Sequence, residues 1–260
     1  MRDDLRVVRD GAIATLVFNR PDKRNAISVE MWQMFPEILG GLASDERVRA
    51  VVLRGAGTEA FASGADISEF ARVRADTRTA RVYSATVAAA EHALADFPRP
   101  TVAMVHGFCV GGGLEVALAC DIRWASRAAR FGITAARLGI VYSLAATRRL
   151  ASVVGPSHAR DLLYTGRLLD AEQARAIGLV NRVCAPEALE PETYAYARAL
   201  AQHAPLSQRG AKMMLQHLLG EGGMAESDLD AVVERAYESD DYREGVRAFL
   251  EKRPPRFTGR

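Results

Sequence analysis

The sequence contains little cysteine and histidine, and no stretch of it stays apolar over the ~18 residues that a membrane-spanning helix requires. Its 260 residues include three cysteines and five histidines. No Cys-x-x-Cys pair occurs, and no histidine is spaced with another histidine or a cysteine as metal ligands are. We therefore predict neither a disulfide framework nor a metal site. Apolar neighbours favour buried free thiols at Cys109, Cys120 and Cys184.

An excess of charge of one sign is also absent. Lys and Arg number 34 and Asp and Glu number 32, which leaves a net charge of +2. Proteins built to bind nucleic acid usually carry a clustered basic excess, so we expect no nucleic-acid partner. Residues 1–11 (MRDDLRVVRDG) are charged and lack the apolar segment of a signal peptide. We expect a cytoplasmic protein without a membrane partner.

Short apolar runs alternate with helical patterns over the first two thirds of the chain. The runs predict strands at 12–18, 48–53, 101–105 and 121–125. Ser28 is a suitable N-cap for a helix towards Leu42, and an alanine-rich helix is predicted over 79–97. Strands separated by helices predict right-handed βαβ units and a mostly parallel sheet, hence an α/β fold. From about Ser143 the pattern is helical almost to the end.

Two glycine-centred segments follow the second and third predicted strands. They read FASGADI (residues 61–67) and HGFCVGGGLE (residues 106–115), and the second opens a predicted helix. Small residues at such turns let a ligand approach the backbone, and amides at a helix N-terminus are unpaired at the positive end of its dipole. Two such amides from neighbouring turns predict a site for one oxyanion. Each segment alone is also typical of a tight turn, and neither has the spacing of a dinucleotide site or a P-loop.

Segments 61–67 and 111–115 together resemble the paired signature of the crotonase superfamily, the enoyl-CoA hydratase/isomerase family. Further matches follow in chain order. They are Asn19-Arg20-Pro21 with Asn25-Ala26, then 163–167 (LYTGR), 176–181 (AIGLVN) and 248–253 (AFLEKR). The resemblance implies a crotonase-like spiral of ββα units over 1–195 and a C-terminal helical trimerisation region over 196–260. It also implies a homotrimer or a homohexamer.

Members of the family stabilise an enolate at the carbonyl of an acyl-CoA thioester. The resemblance implies that specific positions of this chain take part in that chemistry. The backbone N–H groups of Ala65 and Gly112 match the oxyanion hole, and Glu115 matches the first catalytic glutamate. No cofactor is implied, because coenzyme A is part of the substrate. The implied contacts to coenzyme A are Arg24, Ala26, Gly64, Asp66, Ile67, Phe249 and Lys252. The last two match contacts that the family often makes across a subunit boundary.

Glu115 is the side chain on which the predicted chemistry depends. It falls in the first turn after the glycines, beside the predicted oxyanion site. A helix N-terminus stabilises the charged form of a carboxyl group, whereas burial raises its pKa, so the sequence leaves the protonation state open. The alternative is an ordinary first-turn glutamate that only satisfies the helix dipole.

The sequence departs from the family pattern at the second catalytic glutamate. That residue usually follows Phe-Gly-x-Pro, and the matching stretch here, residues 131–139 (FGITAARLG), places Ala135 at its position. Alanine cannot transfer a proton, which puts the ordinary two-glutamate hydration in doubt. Nearby Arg137 either pairs with Glu115 or a substrate carboxylate, or faces solvent.

Tyr142 stands where the family commonly has proline. Its phenol suits a proton or hydrogen-bond donor better than a base, or it simply lines the pocket. The Gly-x-x-Tyr-x-Leu pattern over 139–144 and the segment 237–245 (YESDDYREG) resemble decarboxylating relatives that act on methylmalonyl-CoA. Those enzymes carry histidine where this chain has Ala65 and lack the full Gly-Gly-Gly before the glutamate, which argues against that activity.

The leading expectation is an acyl-CoA enzyme of the enoyl-CoA hydratase/isomerase type, a lyase or isomerase of fatty acid metabolism. Isomerisation and decarboxylation fit one carboxylate more naturally than hydration, because neither adds water. The alternatives are a decarboxylase of the methylmalonyl-CoA type and a non-catalytic acyl-CoA- or RNA-binding relative. The basic tail 252–260 suits coenzyme A phosphates, a non-specific RNA contact or a solvated terminus. The polar loop 72–79 is a candidate lid.

Overall fold

The computed structural model describes residues 3–221 and 225–260 and contains ten strands and ten helices within those ranges. The strands are β1 (Leu5–Asp10), β2 (Ile13–Phe18), β3 (Ala50–Gly55), β4 (Ala60–Ala62), β5 (Thr101–Val105), β6 (Phe108–Val110), β7 (Ile122–Ser126), β8 (Arg130–Gly132), β9 (Leu168–Asp170) and β10 (Arg182–Cys184). The helices are α1 (Val29–Ser44), α2 (Phe70–Val73), α3 (Thr77–Ala95), α4 (Gly112–Ala119), α5 (Leu144–Thr165), α6 (Ala171–Ala176), α7 (Pro186–Ala201), α8 (Pro205–Leu218), α9 (Glu226–Glu238) and α10 (Asp240–Leu250).

The strands form two sheets that share the same repeating unit. The larger sheet has the order β1-β2-β3-β5-β7-β10, and the smaller one has the order β4-β6-β8-β9. The successive pairs β3–β4, β5–β6 and β7–β8 each give one strand to each sheet, and a helix follows each pair. Only β1–β2 and β8–β9 pair antiparallel among the strands of the described residues. The predicted α/β fold with a mostly parallel sheet and a spiral of ββα units is therefore confirmed.

The four predicted strands correspond to β2, β3, β5 and β7, within two residues at each end. Prediction missed the other strands, including β9 and β10, which interrupt the region from Ser143 that was expected to be helical. Most of the missed strands have only three residues, too short to show an alternating pattern. The helix predicted from Ser28 is α1, and the Ser28 hydroxyl accepts a hydrogen bond from the Met31 amide at 3.3 Å.

Aromatic side chains fill the core between the larger sheet and the helices α1 and α3. The Phe18 ring lies 5.2 Å from the Phe61 ring and 6.0 Å from the Phe35 ring, and the Trp32 ring stacks on Phe35 at 5.9 Å. All four side chains are buried. A smaller apolar cluster on the opposite face of the sheet packs under α7. These two layers of packing fix the sheet whose loops carry the site.

The start of α4 lies so close to β4 that only glycine fits there. A Cβ atom added to Gly113 would lie 2.2 Å from the carbonyl oxygen of Ala62. The turn between β5 and β6 is equally tight, since a Cβ atom on Gly107 would lie 1.8 Å from the carbonyl oxygen of Glu59. Both distances are shorter than any real contact of a Cβ atom, so these glycines hold the small sheet against the following helix.

The helices at the C-terminus pack loosely within one chain. An apolar cavity of ≈ 670 Å³ lies among α8, α9, α10 and Phe257. Phe249 is 84% exposed beside it. Apolar surface of this kind is typical of association, and trimerisation remains a prediction. The division expected between 1–195 and 196–260 falls inside α7 and also remains a prediction.

The expectation of buried free thiols is confirmed at all three cysteines. None of the helices in the described ranges is long and apolar enough to cross a bilayer.

Replacing Gly113 with alanine tests the close approach of α4 to β4. We expect the free energy of unfolding to fall by about 1–3 kcal/mol, because the methyl group has no space. Gly40→Ala is the matched control, since Gly40 is also helical but has no atom within 4 Å of an added Cβ. That control should gain about 0.5–1 kcal/mol from helix propensity. Urea unfolding of both variants provides the measurement, and equal stability of the two would contradict the close approach.

Candidate active site

The two glycine-centred segments meet in the folded chain. A Cβ atom added to Gly64 would lie 3.7 Å from the Gly112 amide nitrogen, and one added to Gly112 would lie 3.4 Å from the Ala65 amide nitrogen. The Gly111 φ of 55° turns the chain into α4 at this point. The structure therefore brings together the two amides that the sequence analysis singled out.

Both amides are left without a backbone acceptor by the local hydrogen bonding. In the bridge between Ile27 and Ala65, the Ile27 amide donates to the Gly64 carbonyl at 2.8 Å and the Asp66 amide donates to the Ile27 carbonyl at 2.9 Å. The Ala65 amide is not used in that bridge. Gly112 is the first residue of α4, and the first amides of a helix have no acceptor within the helix. The two N–H groups therefore lie close together without a local backbone acceptor, and the oxyanion site remains a prediction.

Glu115 lies in the first turn of α4 and lines the same cavity as the two amides. Burial raises its pKa to about 8, with a further contribution from Glu91, and both outweigh the opposing effect of Arg74 and Arg149. No side chain of the described residues hydrogen-bonds to this carboxyl group or forms an ion pair with it. The sequence left open whether burial or the helix dipole prevails, and burial does. The raised pKa therefore favours the protonated form of Glu115 near neutral pH.

A buried ion pair lies next to this cavity. Arg149 of α5 places its Nη1 atom 2.9 Å from the Oε2 atom of Glu91 of α3, and both side chains are buried. Glu91 follows Tyr83 and Val87 at helical spacing, and these two residues line the cavity. Glu91 therefore shares their face of the helix, from which its negative charge acts on Glu115.

The cavity has a volume of ≈ 150 Å³. Its walls come from α1, the turn at 63–67, α2, α3, the start of α4 and the segment 134–143. Ala135 is buried in this wall. Glu115 is the only carboxylic acid that lines the cavity in the described part of the chain.

Tyr142 also lines the cavity. Its hydroxyl oxygen would lie 3.9 Å from a Cβ atom on Gly111. Burial, followed by the charges of Glu115 and Glu91, raises the pKa of Tyr142 well above its usual value. The phenol is therefore neutral and suited to donating a hydrogen bond.

Five of the positions implied for coenzyme A gather around one pair of turns, namely Arg24, Ala26, Gly64, Asp66 and Ile67. The Ser63 amide donates to the Arg24 carbonyl at 3.0 Å, which joins the two turns. Arg24 has the left-handed φ of 49° and pairs with Glu59 at 2.6 Å. Ile67 is 59% exposed at the rim of the cavity.

Asp66 orders the turn that presents the Ala65 amide. Its carboxylate accepts hydrogen bonds from Arg20 at 2.8 Å and from the Ser68 amide at 3.1 Å. Burial raises the pKa of Asp66, but the hydrogen bonds of Ser68 and Arg20 outweigh it and bring the pKa to about 2. Asp66 is therefore charged and is bound by neighbours within the fold.

Phe249, Lys252 and Arg137 lie outside the cavity within a single chain. Phe249 lines the apolar cavity among α8–α10, and Lys252 follows the end of α10. Their contacts with coenzyme A remain predictions. Arg137 is exposed, and its Nε atom would lie 3.2 Å from a Cβ atom on Gly166. Of the two readings of Arg137, the structure therefore agrees with the solvent-facing one.

The side chains lining the cavity that sequence reasoning missed include three that are aromatic or charged, namely Trp32, Arg74 and Tyr83. Trp32 and Tyr83 belong to amphipathic helices, where an aromatic residue is indistinguishable from an ordinary core residue. Arg74 lies in the polar loop 72–79, and that loop was the only signal that could have found it. Among residues 3–221 and 225–260, no group of three His, Cys, Asp or Glu is placed to hold a metal ion.

The paired-strand spiral and the meeting of its two glycine turns define the crotonase superfamily. Residues 9–260 match the family model described as enoyl-CoA hydratase/isomerase. The chain belongs to the enoyl-CoA hydratase/isomerase family.

Individual relatives cover the chain almost from end to end. It is 40% identical over 253 residues to a putative enoyl-CoA hydratase of Thermus thermophilus, covering 96% of this chain and 99% of that protein. It is 35% identical over 260 residues to the putative enoyl-CoA hydratase/isomerase YngF of Bacillus subtilis, covering 97% of this chain and 96% of that protein. A solved structure, described as an enoyl-CoA hydratase/carnithine racemase from Magnetospirillum magneticum, superposes with a TM-score of 0.94. That protein is 39% identical, with 99% of this chain and 96% of that one covered.

The raised pKa of Glu115 predicts how stability depends on pH. Because the folded state holds this proton up to about pH 8 and the unfolded chain releases it near 4.5, the free energy of unfolding should fall as pH rises between those values. Glu115→Gln has no proton to lose, so its stability relative to the natural protein should grow by about 2–4 kcal/mol across that window.

Unfolding by urea at pH 5, 7 and 9 measures this difference. Glu187→Gln is the control, because Glu187 also lies in the first turn of a helix but is exposed. A stability difference for Glu115→Gln that stays constant with pH would mean that Glu115 is ionised in the folded protein.

Proposed function

We propose that the protein is an acyl-CoA enzyme that holds a thioester enolate between the amides of Ala65 and Gly112, with Glu115 transferring the proton. One observation carries this proposal: the two amides and the half-buried carboxyl group of Glu115 share one cavity. The family supports an acyl-CoA substrate. We expect no cofactor beyond the coenzyme A of the substrate and no nucleic-acid partner.

The two amides would stabilise the charge that develops on the thioester oxygen. They are fixed by the bridge to Ile27 and by the start of α4, so they need no reorganisation when the charge appears. Loss of one donor from an oxyanion hole costs about 2.7–4 kcal/mol of activation energy. The positive end of the α4 dipole adds to this stabilisation.

A single carboxyl group favours isomerisation over hydration. In isomerisation the Glu115 carboxylate removes a proton from C2 of a 3-enoyl thioester, the amides hold the dienolate, and the same proton returns to C4. Hydration would need a second acid or base to activate water, and Ala135 cannot supply one. Its place would have to be taken by a substitute such as Tyr142.

Decarboxylation is the second candidate, and the position of Tyr142 favours it. The bond to the carboxylate on C2 would break, carbon dioxide would leave, and the electron pair would pass to the enolate held by the two amides. Protonated Glu115 or the neutral Tyr142 phenol would then give a proton to C2. Ala65 argues against this reaction, because the decarboxylating relatives carry histidine there.

Association of the chain is part of the proposal. The apolar cavity among α8–α10 and the exposed Phe249 are surfaces that a homotrimer or a homohexamer would cover. In such an assembly Phe249 and Lys252 would contact coenzyme A bound to a neighbouring subunit.

Mass spectrometry of the products identifies the reaction. The purified protein is incubated with crotonyl-CoA, a 3-enoyl-CoA and methylmalonyl-CoA, and we expect a shifted double bond in the 3-enoyl-CoA without a change in mass. A gain of water or a loss of carbon dioxide would instead establish hydration or decarboxylation.

Glu115→Gln should lower turnover at least tenfold while coenzyme A binding is kept, because the amide cannot transfer the proton. Glu187→Gln should behave as the natural protein does, and an active Glu115→Gln enzyme would refute the role of Glu115.

The pH dependence of kcat/KM separates a base from an acid at Glu115. A base must be ionised, so isomerisation should become faster with rising pH and level off above about pH 8. An acid must be protonated, so a reaction in which Glu115 donates should slow above about pH 8. A profile of the 3-enoyl-CoA reaction that is flat from pH 6 to 9 would exclude Glu115 from the proton transfer.

A further inference from the structure

Arg74 is a cation in the acyl cavity that lacks a carboxylate partner. It lines the cavity together with Glu115, Trp32 and Tyr83. Among the described residues, no carboxylate oxygen lies within 4 Å of its guanidinium group, and the hydroxyl group of Tyr83 accepts a hydrogen bond from it. An arginine in this position differs from the surface arginines around it, such as Arg72, which pairs with Glu69 at 3.2 Å.

Two aromatic rings hold the guanidinium group in place. Its central carbon lies 4.3 Å from the centre of the Phe70 ring and 4.7 Å from the centre of the Tyr83 ring. Stacking of this kind satisfies the flat faces of the group and leaves its N–H donors at the edge. The rings therefore fix the orientation of the fork of donors, and the Tyr83 hydroxyl group engages only part of it.

A second donor, from Trp32, belongs to the same cavity. Trp32 is almost completely buried, and its Nε1 atom has no acceptor with full hydrogen-bond geometry in the described part of the chain. Trp32 and Arg74 both interact as hydrogen-bond donors with the Tyr83 hydroxyl group and lower its pKa against the effect of burial, which places these three polar groups together.

Glu115 does not satisfy Arg74. The two groups form no ion pair, and the raised pKa of Glu115 favours the uncharged form of its carboxyl group. The other acidic side chain near this site, Glu91, is already paired with Arg149. The cavity thus offers a fixed, uncompensated cation to whatever enters it.

We infer that Arg74 binds a second carboxylate carried by the acyl group, so that the substrates are short dicarboxylic acyl-CoA thioesters. A carboxylate can accept two parallel hydrogen bonds from a guanidinium group, which gives both charge compensation and orientation. The inference rests on the proposed function, since it places the acyl group of a thioester in this cavity.

Binding of unreactive ligands tests the inference apart from catalysis. Calorimetry with glutaryl-CoA and pentanoyl-CoA compares acyl groups of equal length that differ in the terminal carboxylate, and free coenzyme A reports the remainder of the ligand. We expect glutaryl-CoA to bind at least tenfold more tightly than pentanoyl-CoA. Arg74→Met should abolish this preference, and Arg74→Lys, which keeps the charge but not the planar fork, should keep part of it. Arg81→Met is the control, because Arg81 is an exposed residue of α3.

Three outcomes would overturn the inference. The first is equal binding of the two thioesters by the natural protein, and the second is a preference for glutaryl-CoA that survives Arg74→Met. The third is that Arg74→Met weakens binding of free coenzyme A as much as binding of glutaryl-CoA, which would place Arg74 at a phosphate. Failure of the proposed function has a different signature, because neither thioester would then bind more tightly than free coenzyme A.

Discussion

The close contact between two stretches of backbone, Gly64–Asp66 and Gly111–Gly113, is the constraint on which the site depends. At Gly113 the chain has no room for a side chain, since a methyl group there would overlap the Ala62 carbonyl oxygen. A short strand of the smaller sheet precedes each stretch, β4 before Gly64–Asp66 and β6 before Gly111–Gly113. These strands are present because the chain alternates between the two sheets. The spiral therefore serves to place two amides side by side, and the aromatic core keeps them there.

Electrostatics in the site follow from burial more than from the helix dipole. Glu115 occupies a first-turn position where a carboxylate is usually stabilised, yet its pKa rises to about 8 because the surrounding groups exclude water and Glu91 adds negative charge. Asp66 lies in the turn at 63–67, next to the start of α4, and has a pKa of about 2 because Ser68 and Arg20 hydrogen-bond to it. Two carboxyl groups in one region thus differ in charge for local reasons.

The sequence predicted those features that depend on local pattern. The strands β2, β3, β5 and β7 are apolar runs, the N-cap at Ser28 has a chemical signature, and the glycine turns indicate backbone exposure. The short strands β4, β6 and β8 could not be predicted, because three residues pair only where the first sheet has already positioned them. Trp32 and Tyr83 enter the site through the packing of α1 and α3 against each other, which no local pattern records. The protonation of Glu115 depends on Glu91 and Arg149, which are distant in sequence and meet only in the fold.

The presence of one carboxylic acid in the cavity wall has a consequence for stereochemistry. Glu115 is the only carboxylic acid that lines the cavity in the described ranges. In the proposed isomerisation, a hydrogen atom that this group removes from one carbon would return to the same face of the acyl chain, unless solvent exchanges it first. A deuterium label would then move between two carbons of a single molecule.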